Sequence, residues 1–435
     1  MPLKDIVSPV EKVGSNGYPA ERFEYIDIGS VSGANRDITA SWINASEAPA
    51  RARQIVKSRD TVYSTVRPYL RRIGYIPQSL DGHIASTGFT VIRPHREVDA
   101  RYVFYVAQSK QFEDQLFPKQ RGVSYPAVRN TDVLDTNIPL PPKQEQHRIV
   151  EVLESRLSQL DAGDRELSRA LQKLTSFRKS SLMSLVPKEL PPAWQMTTVG
   201  EAGTVTLGRQ RHPDWHHGPE MRPYLRVANV FEDRIDTSDV MEMDFSGVFD
   251  KFRLRPGDVL LNEGQSPHLV GRPALYRGSP PNVAFTNSLL RFQARSDVLP
   301  EWALLVFRRH LHARRFMQEI RITTNIAHLS AKRLKSVEFP IPPLEEQRRL
   351  IQLADQQLSY ADALEKTLRS NLARAKNLRR SVLQTAFSGR LVPQDPADEP
   401  ASVLLDRIRA ERAAQATNPR RRKRAVRRRV GAGGE

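Results

Sequence analysis

The sequence contains no cysteine, so the chain forms no disulfide, offers no thiol nucleophile and holds no thiolate-bound metal. It also lacks any apolar run approaching the ~20 residues that cross a bilayer. The first residues, MPLKDIVSPVEK, have no signal-peptide core. Hydrophobic residues make up 39% and charged residues 27% of the 435 residues, which is typical of a globular protein. We therefore expect a cytoplasmic protein of about two to four domains.

Familiar catalytic motifs are missing as well. The sequence has no G-x-G-x-x-G, G-x-x-x-x-G-K-[ST], G-x-S-x-G or H-E-x-x-H, and no Asn/Asp-Pro-Pro-aromatic loop of the kind that amino-methyltransferases place around a target base. Asp258 and Glu263 resemble a carboxylate pair that binds Mg²⁺ in a nuclease. However, the chain contains two similar domains, as described below, and the positions that match Asp258 and Glu263 in the first domain are Asp60 and Thr65. The carboxylate pair is therefore not common to the two domains. We predict no catalytic residue, cofactor site or metal site in this chain.

Positive charge dominates the composition, with a net charge of +18. The tail segment 420–429, RRRKRAVRRR, carries eight of these charges, and the rest of the surplus is spread over the folded part. Such a surplus favours a polyanionic partner, most simply nucleic acid. A membrane surface is a weaker alternative, since no helix pairs a basic face with a broad aromatic one.

One stretch of the sequence occurs twice. Ile138–Val186 returns as Phe339–Phe387 at a constant offset of 201 residues and without a gap. A repeat of this length is too long for a solenoid unit and indicates a duplicated module of domain plus helix. The aligned pairs are Pro139/Pro340, Pro141/Pro342, Pro142/Pro343, Glu145/Glu346, Gln146/Gln347, Arg148/Arg349, Asp161/Asp362 and Arg178/Arg379.

Each copy predicts a long helix. The Pro-Pro pair suits the first turn, where a missing N–H costs nothing. From Lys143 to Val186 the first helix would extend roughly 65 Å at 1.5 Å per residue. Apolar residues recur at steps of four and three, the seam of a coiled coil, and Asp164 and Glu365 interrupt the seam at the same point. The seam residues are Leu153, Leu157, Leu160, Leu167, Leu171 and Leu174, and then Ala354, Leu358, Ala361, Leu368, Leu372 and Ala375.

The segments before the two helices share a plan of short strands followed by a helix, which makes the chain α+β with two similar domains. Tyr25–Ile28 matches Tyr224–Val227, and a predicted helix at 100–117 matches one at 301–320. Identity between the copies is largely lost while secondary structure is kept. Two copies of one framework with different surfaces would suit two related tasks on different targets.

Two loops of each domain are rich in side chains that pair with base edges, and loops on a rigid scaffold often carry recognition. The alternative is that these are ordinary solvated loops. The predicted DNA-contacting residues are Arg67, Tyr69, Arg71 and Arg72 with Lys119, Gln120, Arg121 and Ser124 in the first domain, and Asn262, Gln265, Ser266, His268 and Arg272 with Thr323, Thr324 and Asn325 in the second.

The histidines offer a weaker hypothesis. His212, His216 and His217 have partly helical spacing, but Pro213 and a second nearby proline argue against a helix that would align them on a metal. A solvated or phosphate-facing loop is the preferred interpretation. Two further histidines, His310 and His312, lie in an arginine-rich helix and are predicted to be part of a basic surface.

The two P-x-P-P-x-x-E-Q-x-R helices and the ending GRLVPQDPADEPASVLLDRIRAER resemble the specificity subunit of type I restriction-modification systems. The resemblance covers nearly all of residues 1–415. It implies two target-recognition domains that each bind one half of a bipartite DNA sequence. It also implies that the two long helices pack as an antiparallel coiled coil whose length fixes the unspecified spacer. LPPAW at 190–194 introduces the second domain, and the first begins without an equivalent.

The resemblance assigns the chemistry to partners. Two modification subunits would methylate adenine with S-adenosylmethionine, and restriction subunits using ATP and Mg²⁺ could join. The docking residues on this chain would be Pro142, Glu145, Gln146, Arg148, Pro343, Glu346, Gln347 and Arg349. The expected parts are recognition domain 1 (1–140), the central helix (141–188), recognition domain 2 (189–341), the distal helix (342–390), a C-terminal segment with a short helix (391–415) and a basic disordered tail (416–435).

Two rivals are left open. An architectural protein with a coiled-coil spacer would bind DNA without sequence preference, and a diverged nuclease or methyltransferase would bind metal or cofactor by itself. Differences between the matching loops count against the first, and the unmatched carboxylates count against the second. The tail beyond residue 416 is not part of the family pattern and is expected to add phosphate contacts. The recognised bases, the spacer length and the presence of a restriction subunit do not follow from the sequence.

Overall fold

The computed structural model describes residues 1–14, 17–33, 36–323 and 326–417, except for the side chains of 321–323 and 415–417. Predictions for Thr324, Asn325 and the tail from residue 418 lie outside these residues. The chain forms two compact units. The first contains Met1–Glu166 and the chain from Leu372 onward, and the second contains Leu167–Asn371. Each long helix is divided between the units, so each unit is described with its own part of both helices.

The strands of the first unit form two small sheets. The first sheet has the order β2-β1-β6-β3, in which β1 and β6 run parallel, and the second has the order β5-β4-β7 and is antiparallel. The strands are β1 (Arg22–Ile26), β2 (Ser41–Asn44), β3 (Ala52–Ile55), β4 (Thr61–Ser64), β5 (Ile73–Tyr75), β6 (Ile84–Ser86) and β7 (Phe89–Ile92).

Three short helices follow these strands and precede the first long one. They are α1 (Ala100–Val106), α2 (Lys110–Leu116) and α3 (Asn130–Leu134), and the long helix is α4 (Lys143–Leu185). The prediction of a single helix at 100–117 is wrong, because the helix ends at Val106 and a second one begins at Lys110. Ser109 caps a new helix there by accepting a hydrogen bond from the Phe112 N–H, so the segment contains two helices.

The second unit repeats this plan with extra strands. One sheet has the order β13-β10-β17, and its strands β10 and β17 run parallel, like β1 and β6 in the first unit. A second sheet, of order β16-β14-β18-β9, corresponds to the sheet β5-β4-β7 of the first unit. The strands are β8 (Gln195–Thr198), β9 (Gly203–Leu207), β10 (Met221–Leu225), β11 (Val230–Phe231), β12 (Arg234–Ile235), β13 (Met241–Asp244), β14 (Val259–Asn262), β15 (Gly264–Gln265), β16 (Pro273–Leu275), β17 (Ala284–Phe285), β18 (Leu289–Ala294), β19 (Arg321–Thr323), β20 (Ile326–His328) and β21 (Glu338–Ile341).

The helices of the second unit pack around a core that contains the fully buried Trp302. The helix predicted at 301–320 ends early, because Arg314 adopts a left-handed φ of 57° that no α-helix continues through. The helices of this unit are α5 (Val199–Ala202), α6 (Phe249–Phe252), α7 (Pro300–His312), α8 (Ala331–Lys335) and the second long helix, α9 (Leu344–Phe387).

The two long helices pack together antiparallel, as the resemblance implies. In the first unit, Leu153 and Leu157 of α4 share a core with Leu383 and Ala386 near the end of α9. In the second unit, Leu174 near the end of α4 packs with Ala361 and Leu368 of α9. The predicted seam is therefore the contact line, and the α+β fold with two similar domains and two paired long helices is confirmed.

After α9 the chain turns at Gly389, whose φ of +70° is the left-handed conformation that ends many helices. A last helix, α10 (Ala401–Thr417), packs in the first unit, where Leu404 and Ile408 are buried in the same core as Leu153. Within the described residues, no helix combines the length and apolar character that a bilayer crossing requires.

Candidate nucleic-acid interface

In the first unit, the two predicted contact loops are joined into one surface, here called the first loop pair (65–72 and 117–128). The N–H of Arg67 donates to the carbonyl of Pro126 at 2.7 Å, and the N–H of Val128 donates to the carbonyl of Thr65 at 2.9 Å. The two loops thus lie side by side beyond the end of β4. Residues about 60 positions apart in sequence, such as Arg67 and Pro126, can therefore act on one ligand.

The second unit joins its loops in the same way, giving the second loop pair (263–272 and 317–329). Strand β15 pairs antiparallel with β20, with Gln265 opposite Ala327. The N–H of Leu329 donates to the carbonyl of Glu263 at 2.8 Å, which repeats the contact between Val128 and Thr65. The framework of the two loop pairs is shared, while the side chains that it presents differ.

The arginines of the first loop pair divide into anchors and presented groups. The guanidinium of Arg71 hydrogen-bonds the Gln108 carbonyl and lies 3.6 Å from Glu113, and Arg72 donates to the Ile28 carbonyl, so both hold the loop. The guanidinium of Arg67 lies over the ring of Tyr125, 4.4 Å from its centroid.

The other predicted residues of this pair lie at or near the surface. Tyr69, Arg121 and Ser124 are exposed, whereas Lys119 and Gln120 are half-buried. Arg121 donates to Asp132 at 2.7 Å, and this hydrogen bond holds the pKa of the Asp132 carboxyl below its usual value. The pair with Asp132 steadies Arg121 at the base of its turn.

The second loop pair presents a more polar surface. His268 is exposed and Gln265 and Ser266 are half-buried, so these three side chains can reach a ligand. Arg272 is an anchor: it donates to the Val230 carbonyl at 2.6 Å and lies over Phe231, and burial lowers its pKa. Of Thr323 only the backbone, at the end of β19, is described.

Asn262 is fully buried at the end of β14, away from the surface that was predicted for it. Neither the oxygen nor the nitrogen of its amide has a hydrogen-bond partner among the described residues. A buried amide without partners is costly. As placed, the side chain cannot reach DNA, so any contact would require the strand end to open.

Sequence reasoning missed a third segment beside the second loop pair. The carbonyl of Arg209 accepts a hydrogen bond from the N–H of Asn287, next to Ser288, whose carbonyl accepts from the N–H of Glu263. The following Gln210 and Arg211 are exposed. The available signal was the basic and polar run RQRH directly after a glycine.

The three clustered histidines are not brought together in the part of the chain that the structure describes. His212, His216 and His217 are exposed around a short 3-10 turn, and the described residues contain no group of three His, Cys, Asp or Glu side chains that could bind an ion. The surface role predicted for His310 is wrong, because the core side of α7 buries it almost completely, with Nε2 2.9 Å from the Glu338 carbonyl. His312 pairs with Glu232 at 3.0 Å.

The nuclease-like carboxylates serve separate structural contacts. Asp258 accepts a hydrogen bond from Gln293 at 2.8 Å and lies 3.7 Å from Arg291, and burial raises its pKa. Its counterpart Asp60 is likewise buried and binds Arg93 at 2.8 Å. Glu263 instead lies 3.1 Å from the Nδ1 of His328. Asp258 and Asp60 therefore share a role in holding their sheets, and Glu263 has a different one.

Among the predicted docking residues, the two glutamines are fully buried in their own units. Gln347 accepts from the N–H of Leu299 at 2.8 Å and donates to the carbonyls of Asp297 and Pro342. Gln146 accepts from the N–H of Asp99 at 3.0 Å and donates to Pro141 at 2.9 Å. Each amide ties the start of a long helix to its domain, so neither presents a surface to another subunit.

The other docking candidates differ between the repeats. Arg148 binds the carboxylate of Asp398 through both terminal nitrogens, at 3.2 and 2.6 Å, so the C-terminal segment covers it. Arg349 is exposed and pairs with Glu346 of its own helix at 2.7 Å. Glu145 is buried, which raises its pKa, while Pro142 is half-buried and Pro343 exposed. The second unit thus leaves more of this set open than the first.

Comparison with known proteins places this architecture among DNA specificity proteins. The model of the family described as "Type I restriction modification DNA specificity domain" matches residues 15–171 and 218–374. Among similar proteins, the type I restriction enzyme EcoKI specificity subunit of Escherichia coli K12 is 26% identical over 355 residues, which are 77% of this chain and 76% of that protein. The StySPI specificity subunit of Salmonella potsdam is 25% identical over 356 residues, 77% of this chain and 76% of that protein.

Solved structures agree with the sequence comparison. A chain from a structure on "complex assembly" and "conformational transition of the type I R-M system" superimposes with a TM-score of 0.74 and 27% identity, covering 90% of this chain and 97% of that one. The HsdS subunit from Thermoanaerobacter tengcongensis superimposes with a TM-score of 0.51 and 28% identity, covering 90% of this chain and 96% of that one.

Proposed function

This chain belongs to the family of type I restriction-modification DNA specificity subunits, and from that premise we propose that each of its loop pairs reads one half of a bipartite DNA site. The chain is the component that selects the DNA sequence. The main support for a DNA-reading role of the loops is their pairing. In both units, two segments rich in side chains that can hydrogen-bond bases are joined by backbone hydrogen bonds at matching positions into one surface.

Within each loop pair, the side chains that are exposed or half-buried would contact the DNA, either at the base edges or at the phosphates. In the first pair these are Arg67, Tyr69, Lys119, Gln120, Arg121 and Ser124, and in the second Gln265, Ser266 and His268. Arg can form bidentate hydrogen bonds with guanine edges and Gln with adenine edges, so Arg67, Gln120 and Arg121 in the first pair and Gln265 in the second can all hydrogen-bond a base. Arg71, Arg72 and Arg272 would act through loop position, because each guanidinium is already bound to a backbone carbonyl.

The paired long helices would set the length of the unspecified spacer and dock the modification subunits. Arg349 and Pro343 are the exposed members of the predicted docking set. Two modification subunits would carry S-adenosylmethionine, and restriction subunits, where present, would carry ATP and Mg²⁺. This chain itself would be non-catalytic and free of cofactors, and it would act in the cytoplasm, where its DNA substrate lies.

A map of methylated adenine in the host genome, with and without the gene, tests the proposal. We expect a split motif, two short specified halves around a fixed gap, that disappears on deletion. Reintroducing the gene should restore the same motif. An unchanged map, together with failure of the purified chain to bind a modification subunit, would refute the role in methylation.

A further inference from the structure

The first loop pair exposes an unusual amount of apolar surface. The exposed fractions of its large apolar and aromatic side chains are 52% for Tyr69, 40% for Leu70, 71% for Phe117, 102% for Val123 and 68% for Tyr125. Val123 is as accessible as in an extended chain. Clustered exposure of this kind marks an interaction surface rather than a solvated loop.

The tip that carries Val123 has a fixed shape. Arg121 and Ala127 exchange two backbone hydrogen bonds of 2.9 Å, which close a short turn. Gly122 has a φ of +90°, and a Cβ there would lie 3.0 Å from the Tyr125 carbonyl oxygen, so the turn requires glycine. Val123 is therefore presented on a shaped projection.

The base of this projection is fastened to the neighbouring loop. Arg67 donates its N–H to Pro126 and places its guanidinium over the Tyr125 ring. Arg67 and Arg71 both hold left-handed φ values, 48° and 52°, on either side of the exposed Tyr69. Such conformations persist only where the surrounding structure enforces them. The apolar side chains are thus presented by a framework rather than by a loose loop.

Positively charged side chains next to the apolar patch indicate that DNA is the partner that would cover it. Arg67 and Lys119 flank the tip in the hydrogen-bonded loop pair, and their charges complement the phosphates on either side of a DNA groove, whereas Arg121 is paired with Asp132. The apolar feature that the major groove displays is the 5-methyl group of thymine. In the second loop pair the positions of Tyr69 and Leu70 fall in the polar segment that carries Ser266 and His268.

We propose that Val123 contacts the 5-methyl group of a thymine, so that the first unit reads an A·T pair of its half-site by apolar contact. This rests on the proposed role of the loop pairs in DNA recognition and names the chemistry of one of them. The second unit, through Gln265, Ser266 and His268, would read its half by hydrogen bonds.

The test replaces one thymine at a time by deoxyuridine, which removes only the methyl group, in duplexes that carry the split motif. The protein is the full chain in complex with its modification subunits, as wild type and as Val123→Ala. We expect one deoxyuridine position, in one half only, to weaken wild-type binding about fourfold, the factor for one buried methyl group of about 0.8 kcal/mol. The same position should have no effect on Val123→Ala.

A matched control is Val403→Ala, which makes the same change at an exposed valine of α10 and should leave binding to every duplex unchanged. The inference is overturned if Val123→Ala binds like wild type, or if it loses the same factor on every duplex, as expected for a wedge between base steps. Sequence-specific binding persists in both of those outcomes. Its absence in wild type would instead refute the proposed function.

Discussion

Arg178 of α4 forms an ion pair with Asp362 of α9 in the second unit, and the residues aligned with them by the repeat, Arg379 and Asp161, form the same pair in the first unit. Each copy of the helix therefore supplies the arginine of one pair and the carboxylate of the other. Arg178 also binds Glu365. Asp164, the counterpart of Glu365, is one methylene shorter, and its Oδ1 has no partner among the described residues.

Double-mutant cycles should separate the two bonds of Arg178. The side chain of Glu365 is 22% exposed and that of Asp362 is 73% exposed. Water screens the more exposed pair, so we expect a coupling of about 0.5–1 kcal/mol for Arg178–Glu365 and less than about 0.5 kcal/mol for Arg178–Asp362. Urea unfolding of the alanine variants measures both. Equal couplings would contradict the role of exposure.

Replacing Gln347 by alanine should lower the free energy of unfolding by roughly 3 kcal/mol, because the N–H of Leu299 and the carbonyls of Asp297 and Pro342 lose their partner. Gln146→Ala should cost less, roughly 2 kcal/mol, since it frees one donor and one acceptor. Urea denaturation provides the measurement. Arg349→Ala, on the exposed face of α9, the helix that also carries Gln347, is the control and should change stability by less than about 0.5 kcal/mol.

Substitutions in one loop pair should change only one half of the recognised motif. Gln265→Ala or His268→Ala should relax the half read by the second unit, and Arg67→Ala the other half, in a methylated-adenine map of the complemented host. Changes at the anchors Arg71 and Arg272 should act on the same respective halves, but as weaker methylation rather than as new base preferences. The two-reader mechanism fails if either set disturbs both halves equally.

His310 should make the second unit less stable in mild acid. Burial lowers its pKa to about 4, with Glu338, Arg309 and Arg315 as its charged neighbours. As the pH falls, the histidine of the unfolded chain, with a pKa of about 6.5, is protonated before the buried one. The contribution of neutral, buried His310 to the free energy of unfolding is therefore full above pH 6.5 and is lost towards pH 4, at up to about 1.4 kcal/mol per pH unit. Unfolding of wild type and His310→Gln should therefore diverge in slope across this window. Parallel pH profiles would show that His310 does not contribute.

The basic tail should add contacts that depend on salt and not on sequence. Removing residues 416–435 deletes the eight positive charges of 420–429 while keeping Leu404 and Ile408 of α10 in the core. We expect the slope of log affinity against log salt to become shallower, with the recognised motif unchanged. DNA binding across a salt series measures it. An unchanged slope would mean that the tail makes no phosphate contact.

The repeat made the fold predictable, because an ungapped pattern of seam residues and proline pairs defines both long helices and their contact line. Breaks inside shorter helices were not predictable: Ser109 is a cap and Arg314 a left-handed residue only in the folded context. The loops could be located as candidates, but not their division into anchors and readers. Whether an arginine such as Arg272 meets a carbonyl or the solvent depends on tertiary contacts that no local pattern encodes.

The first unit is assembled from both ends of the chain. Arg412 of α10 donates hydrogen bonds to the carbonyls of Lys4 and Val7, and Glu411 lies 3.1 Å from His95. During translation these partners are separated by the whole second unit, which is a continuous segment of the chain. The second unit can therefore acquire its own core while the ribosome is still at work. The portion that is synthesised first is therefore completed last, after α10 has been synthesised.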